Sequence, residues 1–288
     1  MTLSVVIITY NEEANLGRTL ESVKPLVSDG KGEIIVVDSG STDRTVEIAK
    51  SFGAKVFVEE WRGYAAQKNS AIDKAEGDWI LSLDADEEVS AELAEELTGF
   101  NSDGSVFRKA KTNEWCLTMD SAARSDVLKG KPSGFLLSRK NFFLGRWIKH
   151  GGFWPDPKLR LFRRGAGQFQ SRAVHEDVQL DGPRATLDGA LIHHSYPTLS
   201  DYIDHMNRYS SLGAEMVVAK ADGKVRFSVL NIVIRPLTTF IYNYFFRLGF
   251  LDGREGLLLH LYHSVYVSWK YAKAWELSRK QLPSTMPS

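Results

Sequence analysis

The chain has 288 residues, of which 43 % are apolar and 25 % charged, and this ordinary globular usage excludes disordered and fibrous architectures. Its formal net charge is zero, so charge predicts no nucleic-acid partner. The charge is unevenly divided, because residues 1–100 carry 9 Lys and Arg against 20 Asp and Glu, whereas residues 101–288 carry 27 against 16. This asymmetry indicates two regions with different functions.

The single cysteine, Cys116, permits no internal disulfide and no cysteine-based zinc site, which fits a reducing compartment. The apolar start at residues 3–9 lacks a basic leader and a small-residue cleavage site, so no secretory signal is predicted. No apolar run reaches the ~18 residues of a membrane-spanning helix. The longest candidate, residues 227–250, is interrupted by two arginines and a proline.

The first hundred residues alternate short β-branched runs with helical patterns. The spacing predicts strands at 3–9, 34–38, 55–58 and 79–83, each followed by a helix: one from Leu16, one capped by Ser41 or Thr42, one from Tyr64 and one from Ser90. Continuous apolar strands joined by helices form parallel βαβ units with helices on both faces of the sheet. Downstream, a strand at 158–163, a turn and a second short strand are predicted, and the pattern is helical from Leu199 onward.

Asp84 and Asp86 directly follow the fourth predicted strand. Alternation along an extended chain puts both side chains on one side, where two carboxylates suit Mg²⁺ or Mn²⁺. Because open sheets bind ligands beyond the carboxyl ends of their strands, this position predicts a metal–diphosphate site rather than a solvated acidic loop. Asp38, after the second strand, offers an acceptor to a nucleobase or ribose, or else caps its own loop.

Basic residues provide further candidate donor contacts. Lys68 offers a cation to the nucleotide, or is a solvated helix lysine. Arg160 and Arg163 fit the diphosphate of a substrate that donates a group, or an anionic substrate that accepts it, since arginine matches phosphate geometry. The alternative is that they form the basic face of a hairpin. The chain has no Walker loop and no G-x-G-x-x-G motif, so a glycine-rich phosphate loop is not predicted.

Four motifs follow one another in this first region: Thr9-Tyr-Asn-Glu12, Val37-Asp38-Ser-Gly-Ser-Thr-Asp43, Gln67-Lys68-Asn69 and Leu83-Asp84-Ala-Asp86. In order and spacing they resemble the motifs of family 2 glycosyltransferases. That resemblance implies an inverting enzyme with a GT-A fold, which is Rossmann-like with a mostly parallel sheet and helices on both faces. It also implies a nucleotide-sugar donor and a divalent metal, Mg²⁺ or Mn²⁺.

Later motifs extend the resemblance over nearly the whole chain: Trp154 to Arg164, Val174-His-Glu176, His193-His-Ser-Tyr196 and Gly249 to Gly253. They are similar to a bacterial branch that includes lipopolysaccharide-core enzymes adding glucose to an inner-core heptose. This implies a hexosyltransferase that uses a UDP-hexose such as UDP-glucose. The implied acceptor is a lipid-linked or lipopolysaccharide-core saccharide.

The resemblance assigns roles to the matching residues. The nucleoside pocket would be lined by Thr9, Asn11, Glu12 and Asp38. Asp84 would contact ribose or metal, and Asp86 the metal. The general base would lie in the later acidic motif, where Glu176 is favoured by the Val-His-Glu triplet and Asp177 is the alternative. We expect structural roles for His193 and His194.

These roles divide the chain into three parts: residues 1–100, the nucleotide-sugar-binding half of the GT-A domain; 101–198, the acceptor-binding half with the base; and 199–288, a helical region. Residues 220–254 carry six Lys and Arg against two Asp, with apolar side chains mostly three and four apart. A basic helix with an aromatic apolar face is typical of a helix in the membrane interface. This predicts a cytoplasmic protein, peripheral on the inner membrane, while packing on the catalytic domain or a homodimer contact are alternatives.

Two other functions fit a sheet with paired aspartates. A nucleotidyltransferase would begin with a glycine-rich basic loop, but residues 9–13 are acidic and contain no glycine. An inactive nucleotide-binding module is disfavoured because Asp38, Asp84, Asp86 and Glu176 are all present. A glycosyltransferase acting on a soluble or polyprenyl-phosphate acceptor stays open.

Overall fold

The computed structural model describes residues 2–99, 132–170 and 177–281. The chain divides into two compact units. The first unit comprises Met1–Lys140 and Asp156–His193, and the second comprises Asn141–Pro155 and His194–Ser288. The roles predicted for residues 1–100, 101–198 and 199–288 stay predictions.

The first four strands of the sheet are parallel. They are β1 (Leu3–Thr9), β2 (Gly32–Asp38), β3 (Lys55–Val58) and β4 (Trp79–Asp84), in the spatial order β3-β2-β1-β4. Thr9 lies opposite Asp38, and Ile8 lies opposite Asp84. The carboxyl ends of β1, β2 and β4 therefore meet at one edge, as the sequence predicts.

Helices cover both faces of these strands. They are α1 (Leu16–Val27), α2 (Thr45–Ser51), α3 (Tyr64–Asp73) and α4 (Ala91–Thr98). Val5 and Ile7 of β1 share one buried apolar cluster with residues of α1, whereas Val6 between them shares another with Ala71 of α3. Burial of alternate residues on opposite faces explains why the strand sequences are continuously apolar.

The N-terminal ends of two helices can be compared with the ends predicted from the sequence. The fourth helix is predicted to begin at Ser90, and in the structure Ser90 is the N-cap of α4, because its hydroxyl accepts from the backbone N–H of Leu93. The prediction that Ser41 or Thr42 caps α2 is wrong. The helix begins later, and the Asp43 carboxylate accepts from the backbone N–H of Thr45 at 3.0 Å.

The rest of the sheet comes from later in the chain and has antiparallel pairs. Its strands are β5 (Glu87–Val89), β6 (Gly134–Phe143), β7 (Arg146–Trp147), β8 (Pro157–Arg163) and β11 (Arg184–Tyr196). β8 lies between β4 and β6 and is antiparallel to both, and β11 is antiparallel to β5. Separately, β9 (Gly167–Gln170) pairs with β10 (Asp177–Leu180). The predicted parallel order thus holds for β1 to β4, and the sheet as a whole is mixed.

The second unit is largely helical, as predicted. It contains α5 (Leu199–Lys220), α6 (Arg235–Ile241) with π-helical turns at Leu230–Ile234 and Tyr242–Phe246, a 3₁₀ turn at Gly249–Asp252 and α7 (Gly253–Gln281). Pro236 is the second residue of α6, just after the π-helical turn at Leu230–Ile234. Within the described ranges, no helix is both long and apolar enough to cross a membrane.

Candidate active site

Asp38 organises the loop after β2. Its carboxylate accepts from the hydroxyl of Thr9 at 2.8 Å and from the hydroxyl of Ser41, and also from the backbone N–H groups of Gly40 at 3.0 Å and Ser41 at 2.8 Å. A carboxylate offers about four lone-pair sites, so protein donors occupy all of them. Asp38 therefore performs the loop-capping role, with Thr9 as its partner, and direct nucleoside contact by either residue stays a prediction.

Asn11 and Glu12 join the loop after β1 to the loop after β2. Asn11 adopts a left-handed conformation with φ 54°, which asparagine tolerates better than most residues. Its backbone N–H donates to the hydroxyl of Ser41 at 2.8 Å, and its Oδ1 accepts from the backbone N–H of Thr42 at 2.9 Å. The backbone N–H of Glu12 donates to the hydroxyl of Thr45 at 2.7 Å.

The carboxylates after three different strands influence one another. Burial raises the pKa of Glu12, a hydrogen bond from Asn15 opposes that rise, and the negative charges of Asp86, Asp43 and Asp84 add to it. Acidic side chains from the ends of three strands therefore lie close enough to influence one another at this edge. Such a concentration of negative charge is what a divalent cation neutralises.

Asp84 is engaged by two cations. Nζ of Lys68 lies 2.8 Å from its Oδ1, and the guanidinium of Arg160 bonds to its Oδ2. Burial alone would raise the pKa of the Asp84 carboxyl, but Arg160 and Lys68 hold it well below the usual range. The structure thus brings Asp84, Lys68 and Arg160 together, and the cations leave Asp84 poorly placed to bind metal directly.

Glu87 and Arg139 extend this network, and neither is predicted from the sequence. Oε1 of the fully buried Glu87 accepts from Arg160 at 2.7 Å and from Arg139 at 3.1 Å, while its Oε2 accepts from the backbone N–H of Asp84 at 3.0 Å. The signal that could have found Glu87 is alternation, because Ala85 and Val89 on either side are buried too. An inward carboxylate in an apolar alternation needs cationic partners.

Asp86 faces a histidine from a distant strand. Oδ2 of Asp86 lies 3.3 Å from Nε2 of His193, and His193 is brought there because it pairs with Glu87 where β11 meets β5. Neighbouring ligands of an octahedral ion at ~2.1 Å are about 3 Å apart, so this pair fits a shared divalent cation. Across the described residues, no three His, Cys, Asp or Glu side chains group as a complete metal site. Donor oxygens and water would therefore complete the shell.

Arg163 is not brought to this cluster. It pairs with Trp79 at the amino end of β4, and its guanidinium lies 4.7 Å from the centre of the Trp79 ring. Asp84 is at the other end of the same strand, roughly 17 Å away at ~3.3 Å per residue. Because β8 runs antiparallel to β4, Arg160 reaches the carboxyl end of β4 and Arg163 does not, so Arg163 is left out of the proposed donor site.

The strand that carries Asp177 is tied to the cluster. Asp177 is the first residue of β10, opposite Gln170, while Glu176 lies outside the described residues. On β9, the backbone N–H and carbonyl of Phe169 both bond to the side chain of Asn69 at 2.9 Å, and Nζ of Lys68 lies 5.1 Å from the Phe169 ring centre. The Lys68-Asn69 pair thus connects the paired strands β9 and β10 with Asp84.

Comparison with known proteins places this arrangement in a family. A family model described as Glycosyl transferase family 2 matches residues 4–121. An uncharacterized glycosyltransferase of Rickettsia typhi is 31 % identical to the chain over 96 % of this chain and 88 % of its own. The chain belongs to glycosyltransferase family 2. The predicted family, the hexosyltransferase class and the GT-A-like α/β fold are thereby confirmed.

Two further proteins are similar to this family 2 glycosyltransferase. The lipopolysaccharide core biosynthesis glycosyltransferase LpsC of Rhizobium meliloti is 28 % identical over 96 % of this chain and 93 % of its own. Among solved structures, residues 1–349 of S. aureus TarS in complex with UDP superpose with a TM-score of 0.45 at 17 % identity, covering 98 % of this chain and 92 % of TarS 1–349.

Proposed function

We propose that this enzyme transfers a hexose from a UDP-hexose, such as UDP-glucose, to a lipid-linked or lipopolysaccharide-core saccharide with inversion. One observation supports sugar transfer above the others. Asp86, Glu12 and the cation-paired Asp84 lie near one another at the carboxyl ends of parallel strands. The acceptor class is supported by the similarity to LpsC over nearly the whole chain.

Asp86 and His193 are the residues that would hold the divalent ion, Mg²⁺ or Mn²⁺. A bound ion supplies positive charge next to the departing nucleoside diphosphate. Asp84 is assigned to donor positioning, because Lys68 and Arg160 already compensate its negative charge. Thr9, Asn11, Glu12 and Asp38 shape the nucleoside side of the pocket through the two loops that they join.

The protein's chemical task in an inverting transfer is to accept a proton. The acceptor hydroxyl attacks the anomeric carbon while the bond to the diphosphate breaks, through an oxocarbenium-like transition state. We assign proton acceptance to Glu176, with Asp177 as the alternative. A positioned base typically contributes ~10²–10⁴-fold to the rate.

A lipid-linked acceptor also sets the place of reaction. Nucleotide sugars are water-soluble, whereas the acceptor is held in a bilayer, so the enzyme must work where the two meet. We propose that it binds peripherally at the cytoplasmic face of the inner membrane.

The test is transfer by the purified full chain with Mn²⁺, a panel of nucleotide sugars and lipopolysaccharide truncated to its inner core. We expect acceptor-dependent release of UDP and a product with inverted anomeric configuration by NMR. Asp86→Asn should abolish release, while Asp29→Asn, in the exposed turn before β2, should match the wild type. Release of pyrophosphate would indicate the nucleotidyltransferase alternative, and failure on every lipid-linked saccharide would refute the acceptor class.

A further inference from the structure

Residues 224–254 of the second unit present an unusual amount of apolar surface. Thirteen large apolar side chains there are more than a third exposed, and the most exposed are Phe227, Val229, Leu230, Tyr242, Phe245 and Phe246. We call this region the 224–254 surface. Large exposed apolar regions on soluble proteins usually mark interaction sites, so a stretch with this many exposed apolar side chains indicates a partner.

The 224–254 surface belongs to an ordered structure. The carbonyl of Ile232 accepts from the hydroxyl of Ser268 in α7 at 2.8 Å, and the guanidinium of Arg235 lies over the ring of Tyr271, 5.1 Å from its centre. Pro236 is buried. The stretch is thus held against α7 on one side while its large apolar side chains point outward on the other.

The charge of this surface has one sign. Its five basic residues are all exposed: Lys224, Arg226, Arg235, Arg247 and Arg254. The one carboxylate in the stretch, Asp252, is only 2 % exposed, because it accepts from the backbone N–H groups of Lys149 at 3.2 Å and His150 at 2.8 Å, and its Oδ1 lies 3.0 Å from Nδ1 of His150.

This charge pattern selects among partners. A two-fold contact between two copies would place the same patch against itself, and like charges facing each other across an interface are unfavourable. A bilayer with anionic lipids offers an apolar interior beneath negative phosphates. Aromatic side chains such as Tyr242 and Phe246 suit the boundary between these two layers.

We infer that the 224–254 surface docks this enzyme on an anionic lipid bilayer, with its apolar side chains in the interface and its basic side chains on the lipid phosphates. The inference rests on the proposed function in one respect, because a lipid-linked acceptor is the reason for the enzyme to bind a bilayer.

The first experiment measures partition of the full chain onto large unilamellar vesicles, with no donor or acceptor present. We expect binding to phosphatidylcholine with 30 % phosphatidylglycerol, weaker binding to phosphatidylcholine alone, and loss with added salt. The double variant Leu230→Ser/Phe246→Ser should bind at least ~10-fold more weakly, since burying two such side chains is worth more than tenfold. Val58→Ser is the matched control, because Val58 on β3 is as exposed as Leu230 (64 %).

The second experiment tests the contribution of the basic side chains and the insertion of the apolar side chains into the bilayer. Arg226→Gln/Arg254→Gln should weaken binding to anionic vesicles ~25-fold, at roughly fivefold per basic residue, while exposed Arg44→Gln should not. An environment-sensitive dye on Phe246→Cys, in a Cys116→Ser background, should shift to the blue with anionic vesicles, and the same dye on Val58→Cys should not. Circular dichroism checks that each variant is folded.

Three results would overturn the inference: equal binding to neutral and anionic vesicles, unchanged binding by both double variants, or a dimer in light scattering that Leu230→Ser/Phe246→Ser dissociates. The last would identify a second copy as the partner. Failure of the proposed function is distinguishable, because transfer to a delipidated core saccharide needs no membrane and vesicle binding needs no transfer.

Discussion

The ammonium group of Lys68 lies 2.8 Å from Oδ1 of Asp84, a link between α3 and the end of β4. Because Arg160 bonds to the second oxygen, the first aspartate of the Asp-Ala-Asp motif is compensated by the protein itself. The two aspartates of one short motif thereby have different surroundings, since Asp86 faces His193 instead.

Lys68→Met should therefore raise the pKa of Asp84 and destabilise the protein, because it removes one of two cations from a largely enclosed carboxylate. Losing one partner of a fully buried pair costs ~3–5 kcal/mol, and we expect about 1–3 kcal/mol here because the Asp84 side chain is 31 % exposed. Urea unfolding measures the change. Lys55→Met, which removes a half-exposed partner of Glu33, should cost clearly less, and an equal loss in both variants would contradict the special role of Lys68.

His193→Ala should weaken Mn²⁺ binding in the presence of UDP by at least ~10-fold, the lower end of what supporting groups of metal sites contribute. Calorimetric or paramagnetic titration of Mn²⁺ measures this. The adjacent residue supplies the control, because His194 stacks against Phe142 and successive strand residues point to opposite faces. If His194→Ala lowers Mn²⁺ affinity as much as His193→Ala, the Asp86–His193 pair is not the ion's protein site.

Glu176→Gln should reduce kcat by ~10²–10⁴-fold, the contribution of a positioned base, and leave UDP affinity unchanged. Asp177→Asn should stay within about tenfold of the wild type if Glu176 is the base. The reverse pattern would assign the role to Asp177. Should both single variants keep full turnover, the base lies outside this acidic motif.

His260 should make the protein sensitive to mild acid. Burial lowers its pKa to about 4, with the charge of His263 acting in the same direction and that of Asp252 opposing it. An unfolded histidine titrates near 6.5, so between about pH 6.5 and 4 the unfolded chain binds more protons and stability falls as pH falls. At ~1.4 kcal/mol per unit the full loss is on the order of 3 kcal/mol.

The measurement is urea unfolding of wild type and His260→Phe at pH 8, 6 and 5. The variant should lose less stability than the wild type on acidification, whatever its stability at pH 8. Parallel pH profiles for the two proteins would show that His260 is not responsible. The ring is closely packed, since a Cβ on Gly151 would come within 1.9 Å of its Cε1, so the pH slope is the informative quantity.

Local pattern predicts the parallel part of this fold well and the antiparallel part poorly. The strands β1 to β4 are short, continuously apolar and each followed by a helix, so both their existence and the position of Asp38 and Asp84 at the same edge of the sheet follow from spacing. The place of β8 between β4 and β6 depends on pairing across long stretches of chain. No periodicity within one segment carries that information.

The same distinction holds inside the site. Lys68, Arg160 and Asp84 are predicted as donor residues and are found together. The position of His193 beside Asp86 depends on β11 pairing with β5, so composition and spacing suggest only a structural histidine. Arg163 looks equivalent to Arg160 in sequence, but an antiparallel strand carries it to the wrong end of β4.

Only Ala85 and Asp86 separate β4 from β5, and the carbonyl of Ala85 also accepts from the hydroxyl of Thr19 at 2.7 Å. A connection of two residues cannot accommodate an additional residue without moving one of the two strands. One inserted residue would turn Asp86 away from His193 or pull Glu87 out of register with β11, whereas substitutions leave the path of the chain intact. We therefore expect this segment to tolerate substitutions better than insertions or deletions.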